Sequence, residues 1–242
     1  MTSKKRLIAL QFDYENKSLE ENFKTLKRLM DRIPEESIVL APELCLSGYK
    51  YDSLQESADF SKKILNELKK LSTCKTFALT LIEEINGNYF NNLKIFHNEK
   101  LVQSRAKTKL FPLGNEEKFF TSGDEKAIQT VEINGIKIAT LVCFELRFTE
   151  LWQKTLGADI ILIPSFWGKL RKEHLKILSQ ALAIANQAFV IVANSSDEDM
   201  ASSSAIITPF GDVYRNDSAF IVQHEVDFKE IKKMRKYINI GL

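Results

Sequence analysis

The sequence predicts a mixed α/β fold in which sheets and helices pack in layers. Short apolar runs typical of strands alternate with amphipathic stretches typical of helices along the 242 residues. Two Asn-Gly pairs, Asn86-Gly87 and Asn134-Gly135, stand between apolar runs and predict hairpins, so the sheets are not purely parallel. The chain contains no linker-like stretch, low-complexity segment or repeat, and we therefore expect one domain over residues 1–242.

The first half of the chain predicts two helices among short strands. Leu19, Phe23 and Leu26 recur at helical spacing, whereas the apolar run that stops at Pro42-Glu43 is short, as buried strands are. In chain order, the predicted elements are strand 6–12, helix 18–33, strand 37–44, helix 59–72 and several strands over 76–111.

The second half predicts another hairpin, two helices and the strands around them. The apolar runs on either side of the longer helix are rich in isoleucine and valine, which favour strands. In chain order, the predicted elements are hairpin 131–143, helix 149–157, strand 158–165, helix 172–187, strand 188–195 and a closing hairpin of 204–215 with 218–227.

Composition and charge argue against several classes of protein. The 34 basic and 32 acidic residues give a net charge of +2, which is too small to indicate a nucleic-acid partner. No apolar run is long enough for a signal peptide or a membrane span, so we expect no membrane partner. Cys45, Cys74 and Cys143 form no disulfide or metal pattern, and the histidines are dispersed. These features predict a cytoplasmic protein without a metal site.

Three reactive side chains follow predicted strands. The second predicted strand stops at Pro42-Glu43, the strand before residue 108 ends at Lys107, and the strand from Ile136 ends at Cys143. Side chains at strand ends leave the packed sheet but keep a fixed position, which suits catalytic groups. Backbone N–H groups in the turn after Cys143 are expected to favour its thiolate and to hold an oxyanion. The set supplies a nucleophile, a base and a cation.

Four segments of the chain, in this order, resemble the nitrilase, or carbon–nitrogen hydrolase, superfamily. They are APELCLSGY (41–49), RAKTKLFP (105–112), EEKFFTSGDE (116–125) and CFELRFTEL (143–151). The resemblance implies the four-layer α-β-β-α sandwich of that superfamily. It also implies that Glu43 is the general base, Lys107 the catalytic lysine and Cys143 the nucleophile.

Two assignments carried over from the family have competitors nearby. Lys109 lies two residues after Lys107 and shares its strand face, but it occupies the His position of the family's Lys-x-His-Leu pattern, so we choose Lys107. A second catalytic glutamate of the family precedes an aromatic residue and a Phe-x-x-Gly run. This pattern selects Glu116, and the adjacent Glu117 is the alternative.

The resemblance implies a cysteine-dependent amidase without a cofactor that acts on a small linear amide. The segment CFELRFTEL is similar to that of omega-amidase-like members, so an ω-amide of a dicarboxylic acid is the leading substrate class. An N-carbamoyl amide hydrolase and a partner-dependent, non-catalytic domain are the alternatives. The family also implies a homodimer.

Four residues are candidates for substrate binding. Arg147 could pair with a substrate carboxylate. Alternatively, it could pair with Glu145 or Glu150 and stabilise the turn that follows Cys143. The residues placed along the substrate site are Phe144, Arg147, Phe166 and Trp167. Leu182 and Ala185 stand where relatives carry Arg and Glu, which leaves open a lost ion pair or a reshaped pocket.

Overall fold

Two six-stranded sheets pack face to face at the centre of the computed structural model, which describes residues 4–241. The strands are β1 Lys4–Leu10, β2 Ile38–Leu40, β3 Thr76–Ile85, β4 Asn88–His97, β5 Lys100–Ala106, β6 Val131–Ile133, β7 Ile136–Thr140, β8 Ile160–Ser165, β9 Phe189–Asn194, β10 Ala205–Ile207, β11 Val213–Arg215 and β12 Ile221–Asp227. The first sheet has the order β12-β1-β2-β3-β4-β5 and the second has the order β11-β10-β9-β8-β7-β6.

Helices cover the outer face of each sheet. They are α1 Leu19–Met30, α2 Leu54–Leu71, α3 Glu116–Phe119, α4 Thr149–Gln153, α5 Lys172–Asn186 and α6 Lys229–Tyr237. Apolar side chains of α1 and α2 join the outer cluster of the first sheet, and those of α5 and α6 pack on the second sheet. The layers are therefore helix, sheet, sheet and helix, and the expected α-β-β-α sandwich is confirmed.

Strand β1 shows how alternation builds this arrangement. Leu7 and Ala9 belong to the cluster between the sheets, whereas Ile8 and Leu10 belong to the cluster under α1 and α2. Successive side chains of a strand point to opposite faces, so an apolar run with no polar interruption fits a strand that is covered on both sides. All four side chains are fully buried.

The expected closing hairpin is wrong for its second strand. β10 and β11 form an antiparallel hairpin in the second sheet, but β12 crosses to the first sheet and pairs antiparallel with β1. Gln11 fixes this crossing, because its side-chain amide donates to the carbonyl oxygens of Asn216, Asp217 and Ala219 at 2.9–3.2 Å. An alternating pattern identifies β12 as a strand without indicating which sheet edge it joins.

Within residues 4–241, no helix has both the length and the apolar content needed to cross a bilayer.

Candidate active site

The side chains of Glu43, Lys107 and Cys143 meet at one end of the two sheets. Glu43 follows β2, Lys107 follows β5 directly, and Cys143 follows β7. The backbone N–H of Glu43 donates to the carbonyl oxygen of Ser165 at the end of β8, 3.3 Å away, which ties the two sheets together beside the site. The topology thus brings together three residues that are far apart in the sequence.

Lys107 is fully buried between two carboxylates. Its Nζ donates to Glu43 Oε1 and to Glu116 Oε1, both at 2.8 Å. Burial by itself lowers the pKa of Lys107, but the charges of the two glutamates outweigh it and raise the pKa. Burial raises the pKa of Glu116, and the charge of Lys107 only partly opposes this shift. Lys107 is therefore a permanent cation, held in place from both sides.

Further contacts fix the backbone and the carboxylate of Glu43. The Tyr14 hydroxyl donates to the Glu43 carbonyl oxygen at 2.6 Å, and Asn91 Nδ2 donates to Glu43 Oε1 at 2.9 Å. Oε2 of Glu43 is buried and makes no hydrogen bond within the described chain. One carboxylate oxygen is thus used for positioning, and the other is uncommitted.

Cys143 begins a short 3-10 helix, Cys143–Arg147, in a strained conformation. Its φ of 48° lies in the left-handed region that residues with a side chain seldom adopt. Burial, followed by the charge of Glu43, raises the pKa of the Cys143 thiol well above its ordinary value. Burial and the nearby charge of Glu43 thus oppose ionisation of the thiol, contrary to the expectation that the turn favours the thiolate.

A buried ion pair that sequence reasoning missed braces the Cys143 corner. Arg105, on β5, holds both carboxylate oxygens of Glu145 at 2.8–3.0 Å. Glu145 also accepts from the backbone N–H groups of Thr108 and Val142, both at 2.6 Å. These partners lower the pKa of Glu145 in spite of its complete burial. The strand that carries Lys107 is therefore bound to the turn that carries Cys143.

Gly123 permits close packing against the same strand. Its backbone N–H donates to the Lys107 carbonyl oxygen at 2.8 Å. A Cβ at this position would lie 2.5 Å from the Ala106 carbonyl oxygen, so any larger residue would push β5 away. This glycine is part of the EEKFFTSGDE segment, where it keeps α3 and its Glu116 close to Lys107.

The two alternatives, Lys109 and Glu117, lie outside the cluster formed by Glu43, Lys107, Glu116 and Cys143. Lys109 is paired with Glu125 at 2.6 Å and lies over the Phe148 ring, 4.9 Å from its centroid. Glu117 is exposed to solvent, whereas its neighbour Glu116 is buried against Lys107. The geometry therefore separates each chosen residue from its alternative.

The substrate-side candidates line a small recess beside the thiol. Its walls are Phe111, Cys143, Phe144, Arg147, Phe166, Trp167 and Arg171, and its volume is about 20 Å³. A larger cavity of about 270 Å³ shares Cys143, Phe111, Phe166 and Arg171 with it. Apolar walls with a few polar groups are typical of a site for a small organic ligand. Neither Leu182, which is in the core, nor Ala185 lines these cavities.

Arg147 does not brace the corner through an acid. Its Nη2 donates to His174 Nδ1 at 3.0 Å, and its guanidinium lies 4.5 Å from the centroid of the Trp167 ring. Glu145 is paired with Arg105 instead. Sequence reasoning also missed Arg171, which lines both cavities and stands in no motif quoted for the family. No signal within the sequence marks it out, because an arginine at the start of a helix is usually solvated.

Over the described chain, no group of three or more His, Cys, Asp or Glu side chains is arranged to hold a metal ion. The arrangement instead provides a buried thiol, an uncommitted carboxylate oxygen and a fixed ammonium group. That combination suits nucleophilic attack on a carbonyl carbon.

Comparisons with known proteins identify the family of this chain. The family model of carbon-nitrogen hydrolases matches residues 7–236. A 2-oxoglutaramate amidase of Bacillus subtilis strain 168 is 30% identical over 97% of this chain and 95% of its own length. The omega-amidase YafV of Escherichia coli strain K12 is 25% identical over 79% of this chain and 77% of its own. The structure of Saccharomyces cerevisiae Nit3, a member of branch 10 of the nitrilase superfamily, superposes with a TM-score of 0.83 at 20% identity over 99% of this chain and 96% of that one. The chain therefore belongs to the carbon–nitrogen hydrolase family and is an amide-hydrolysing enzyme.

Proposed function

We propose that the enzyme hydrolyses a small linear amide that carries a carboxylate, such as an ω-amide of a dicarboxylic acid, with Cys143 as the nucleophile. The observation that carries this proposal is the buried contact of Lys107 with Glu43 and Glu116 beside the Cys143 thiol. The names of the B. subtilis and E. coli relatives support the same substrate class.

Acylation begins with a neutral thiol. Glu43 accepts the thiol proton through its uncommitted oxygen while Sγ of Cys143 attacks the amide carbon. The carbonyl oxygen becomes an oxyanion, which Lys107 Nζ and the backbone N–H of Phe144 stabilise. Glu43 then gives its proton to the amide nitrogen, the C–N bond breaks and ammonia leaves. The product of this half-reaction is a thioester on Cys143.

Deacylation repeats these steps with water as the nucleophile. Glu43 takes a proton from water, the hydroxide attacks the thioester carbon, and the proton returns to Sγ as the acid leaves. Glu116 holds Lys107 throughout, so that its ammonium group stays on the oxyanion side of the cluster. A permanent cation suits this task because Lys107 does not have to gain or lose a proton.

The walls of the recess suit a short chain that ends in an anion. Phe144, Phe166 and Trp167 offer apolar surface for methylene groups. Arg147 offers its remaining N–H groups to a carboxylate at the far end of the substrate.

Ammonia release by the purified enzyme tests the proposal. The substrates are glutaramate, its neutral analogue pentanamide, an N-carbamoyl amino acid and a nitrile, with and without EDTA. We expect release from the amides, with glutaramate preferred, and no effect of EDTA. Release from the carbamoyl compound alone would reassign the substrate class, and release from none of them would indicate a partner-dependent domain.

Cysteine variants test the nucleophile in the same assay. Cys143→Ala should abolish turnover and leave the thermal melt nearly unchanged, because only one sulfur atom is removed. Cys45→Ala and Cys74→Ala are the matched controls and should keep their activity, since neither residue lines the recess. Turnover by Cys143→Ala would refute the mechanism.

We also propose that the enzyme is a cytoplasmic homodimer. A thiol nucleophile must stay reduced, and Cys45, Cys74 and Cys143 are all free. Large apolar side chains are exposed on α5 and on the loop beside it, as subunit contacts often are.

A further inference from the structure

A second arginine, Arg171, faces the cavities beside Cys143 without an acidic partner. Its guanidinium lies over the Phe111 ring, 5.2 Å from the centroid. Within residues 4–241, its side chain makes no hydrogen bond and no ion pair. Most charged groups at the surface of a cavity are solvated or paired with an opposite charge. Arg171 instead lies against the Phe111 ring beside the Cys143 thiol, where its N–H groups are free to bind a ligand.

The two arginines place like charges on one recess. Burial lowers the pKa of Arg147, and the positive charge of Arg171 lowers it further. The two guanidinium groups therefore repel each other. Among the walls of that recess, the other described residues are Phe111, Cys143, Phe144, Phe166 and Trp167, none of which carries a carboxylate. The nearby glutamates Glu43 and Glu116 are already bound to Lys107. An anionic ligand would relieve the repulsion between the arginines.

The two arginines differ in the donors that they have left. Arg147 donates a hydrogen bond from Nη2 to His174, and its guanidinium lies over the Trp167 ring. Fewer of its N–H donors are therefore free to bind a ligand. Arg171 keeps all five N–H donors, which permits a two-point contact with a carboxylate.

Resting on the proposed amidase function, we propose that Arg171 determines specificity by binding the carboxylate of a monoamide of a short dicarboxylic acid, together with Arg147. Arg171 borders both the recess and the larger cavity, and the thiol lies where these two meet. A carboxylate held there leaves the amide end of a short substrate at Cys143. Selection then depends on charge, and an uncharged amide of the same length loses this contact.

Steady-state kinetics of Arg171→Met, Arg171→Lys and Lys169→Met test the proposal. Methionine keeps the packing on Phe111 and removes the charge, whereas lysine keeps the charge and loses the planar, two-point geometry. Lys169 is an exposed neighbour that lines neither cavity, so its variant controls for a general loss of positive charge. The substrates are glutaramate and pentanamide, which differ only by a carboxylate in place of a methyl group.

We expect Arg171→Met to lower the preference for glutaramate over pentanamide, as a ratio of kcat/KM values, by about ten- to a hundredfold, chiefly through KM. Arg171→Lys should retain part of the preference, and Lys169→Met should match the wild type. An unchanged ratio in Arg171→Met, or the same fall in Lys169→Met, would overturn the proposal while leaving the amidase function intact.

A binding measurement separates this proposal from the reaction itself. Calorimetry with the Cys143→Ala enzyme, which cannot turn over, should show glutaramate binding at least tenfold more weakly when Arg171→Met is added. Equal affinities would refute the role of Arg171, whatever the kinetics show. Absence of ammonia release by the wild-type enzyme together with intact, Arg171-dependent binding would instead refute only the catalytic proposal.

Discussion

Lys107 is a buried cation whose position depends on two carboxylates. If both glutamates are ionised, the group of three carries one net negative charge, which a substrate oxyanion would increase. Burial raises the pKa of Glu116 and so favours its neutral, protonated carboxyl, which opposes this build-up of negative charge while Lys107 keeps its proton. Lys109, by contrast, is partly exposed and is paired with Glu125 at the surface. The two lysines therefore have different electrostatic roles in spite of their proximity.

Replacing each lysine by methionine tests this difference. Lys107→Met should lower kcat by about a hundred- to a thousandfold, since an oxyanion donor supplies on the order of 3–4 kcal/mol to the transition state. Lys109→Met should change kcat by no more than a few fold, because its exposed ion pair contributes about 0–1 kcal/mol. Assays on glutaramate, with circular dichroism as a check on folding, make the comparison. Equal losses would mean that Lys109 takes part in the chemistry.

The Cys143 thiol shows where residue-level prediction fails. The sequence places this cysteine after an apolar strand, and the turn that follows suggests a stabilised thiolate. Burial of the side chain beside Glu43 opposes that effect. Burial and the approach of Glu43 depend on the packing of the other sheet, so no local pattern can reveal them.

At the scale of elements, the Arg105–Glu145 pair connects β5 to the turn at Cys143. Both side chains are fully buried, and the carboxylate has backbone as well as guanidinium donors. A buried ion pair often contributes little compared with an apolar replacement, but removing one partner leaves an uncompensated charge. Here the pair sets the distance between the strand of Lys107 and the loop of Cys143.

Unfolding experiments on Glu145→Gln test the pair through its pH dependence. The pKa of Glu145 is lowered in the folded state, so its stabilising effect is complete above the pKa of an unfolded glutamate, about 4.3, and is lost as the pH falls through the lower folded value. At pH 7 the variant should lose about 3–5 kcal/mol of unfolding free energy. The gap to the wild type should narrow below about pH 4.

Glu117→Gln is the control for this experiment, because Glu117 is exposed and outside the cluster. Its unfolding free energy in urea should follow that of the wild type at every pH. A gap for Glu145→Gln that stays constant down to pH 3 would contradict an ionised, paired Glu145 in the folded enzyme.

The elements of the fold were predictable largely because β1, β2, β8 and β9 each contain an uninterrupted apolar run and α1 and α2 are amphipathic. The order of motifs was also informative, since it located Glu43, Lys107 and Cys143. The Arg105–Glu145 pair and Arg171 were not predictable. The contacts of these residues form only because the sheets bring together segments that are far apart in the sequence. From the sequence alone, a charged residue is expected to be solvated.

On the scale of the whole molecule, the sheet-to-sheet assembly was harder to predict than its parts. β12 alternates between buried and more exposed positions, but this pattern does not reveal that its partner is β1 at the other end of the chain. That pairing makes β12 an edge strand of the first sheet and leaves β11 at an edge of the second one. Beside this edge, α5 presents apolar side chains to solvent. The fold therefore leaves one face of the second helical layer available for a contact.

The proposed homodimer should use this face of α5. Ile177 and Ile184 are 61% and 44% exposed, and Phe210 is 46% exposed on a loop that Gln180 of α5 binds through Gly211 at 2.8 Å. Exposed apolar side chains of this kind are stabilised when a second copy covers them. Light scattering during gel filtration should give the wild type twice the 27.7 kDa mass of one chain.

Charged substitutions decide whether α5 forms the contact. Ile177→Glu and Ile184→Glu should each shift the enzyme towards the mass of a single chain, because burying an unpaired carboxylate at an apolar interface costs several kcal/mol. Ile85→Glu is the matched control, since Ile85 is 48% exposed on the first sheet, beside the turn between β3 and β4. It should leave the mass unchanged. A wild-type enzyme of single-chain mass would rule out the dimer, and dimeric α5 variants with unchanged melts would place the contact elsewhere.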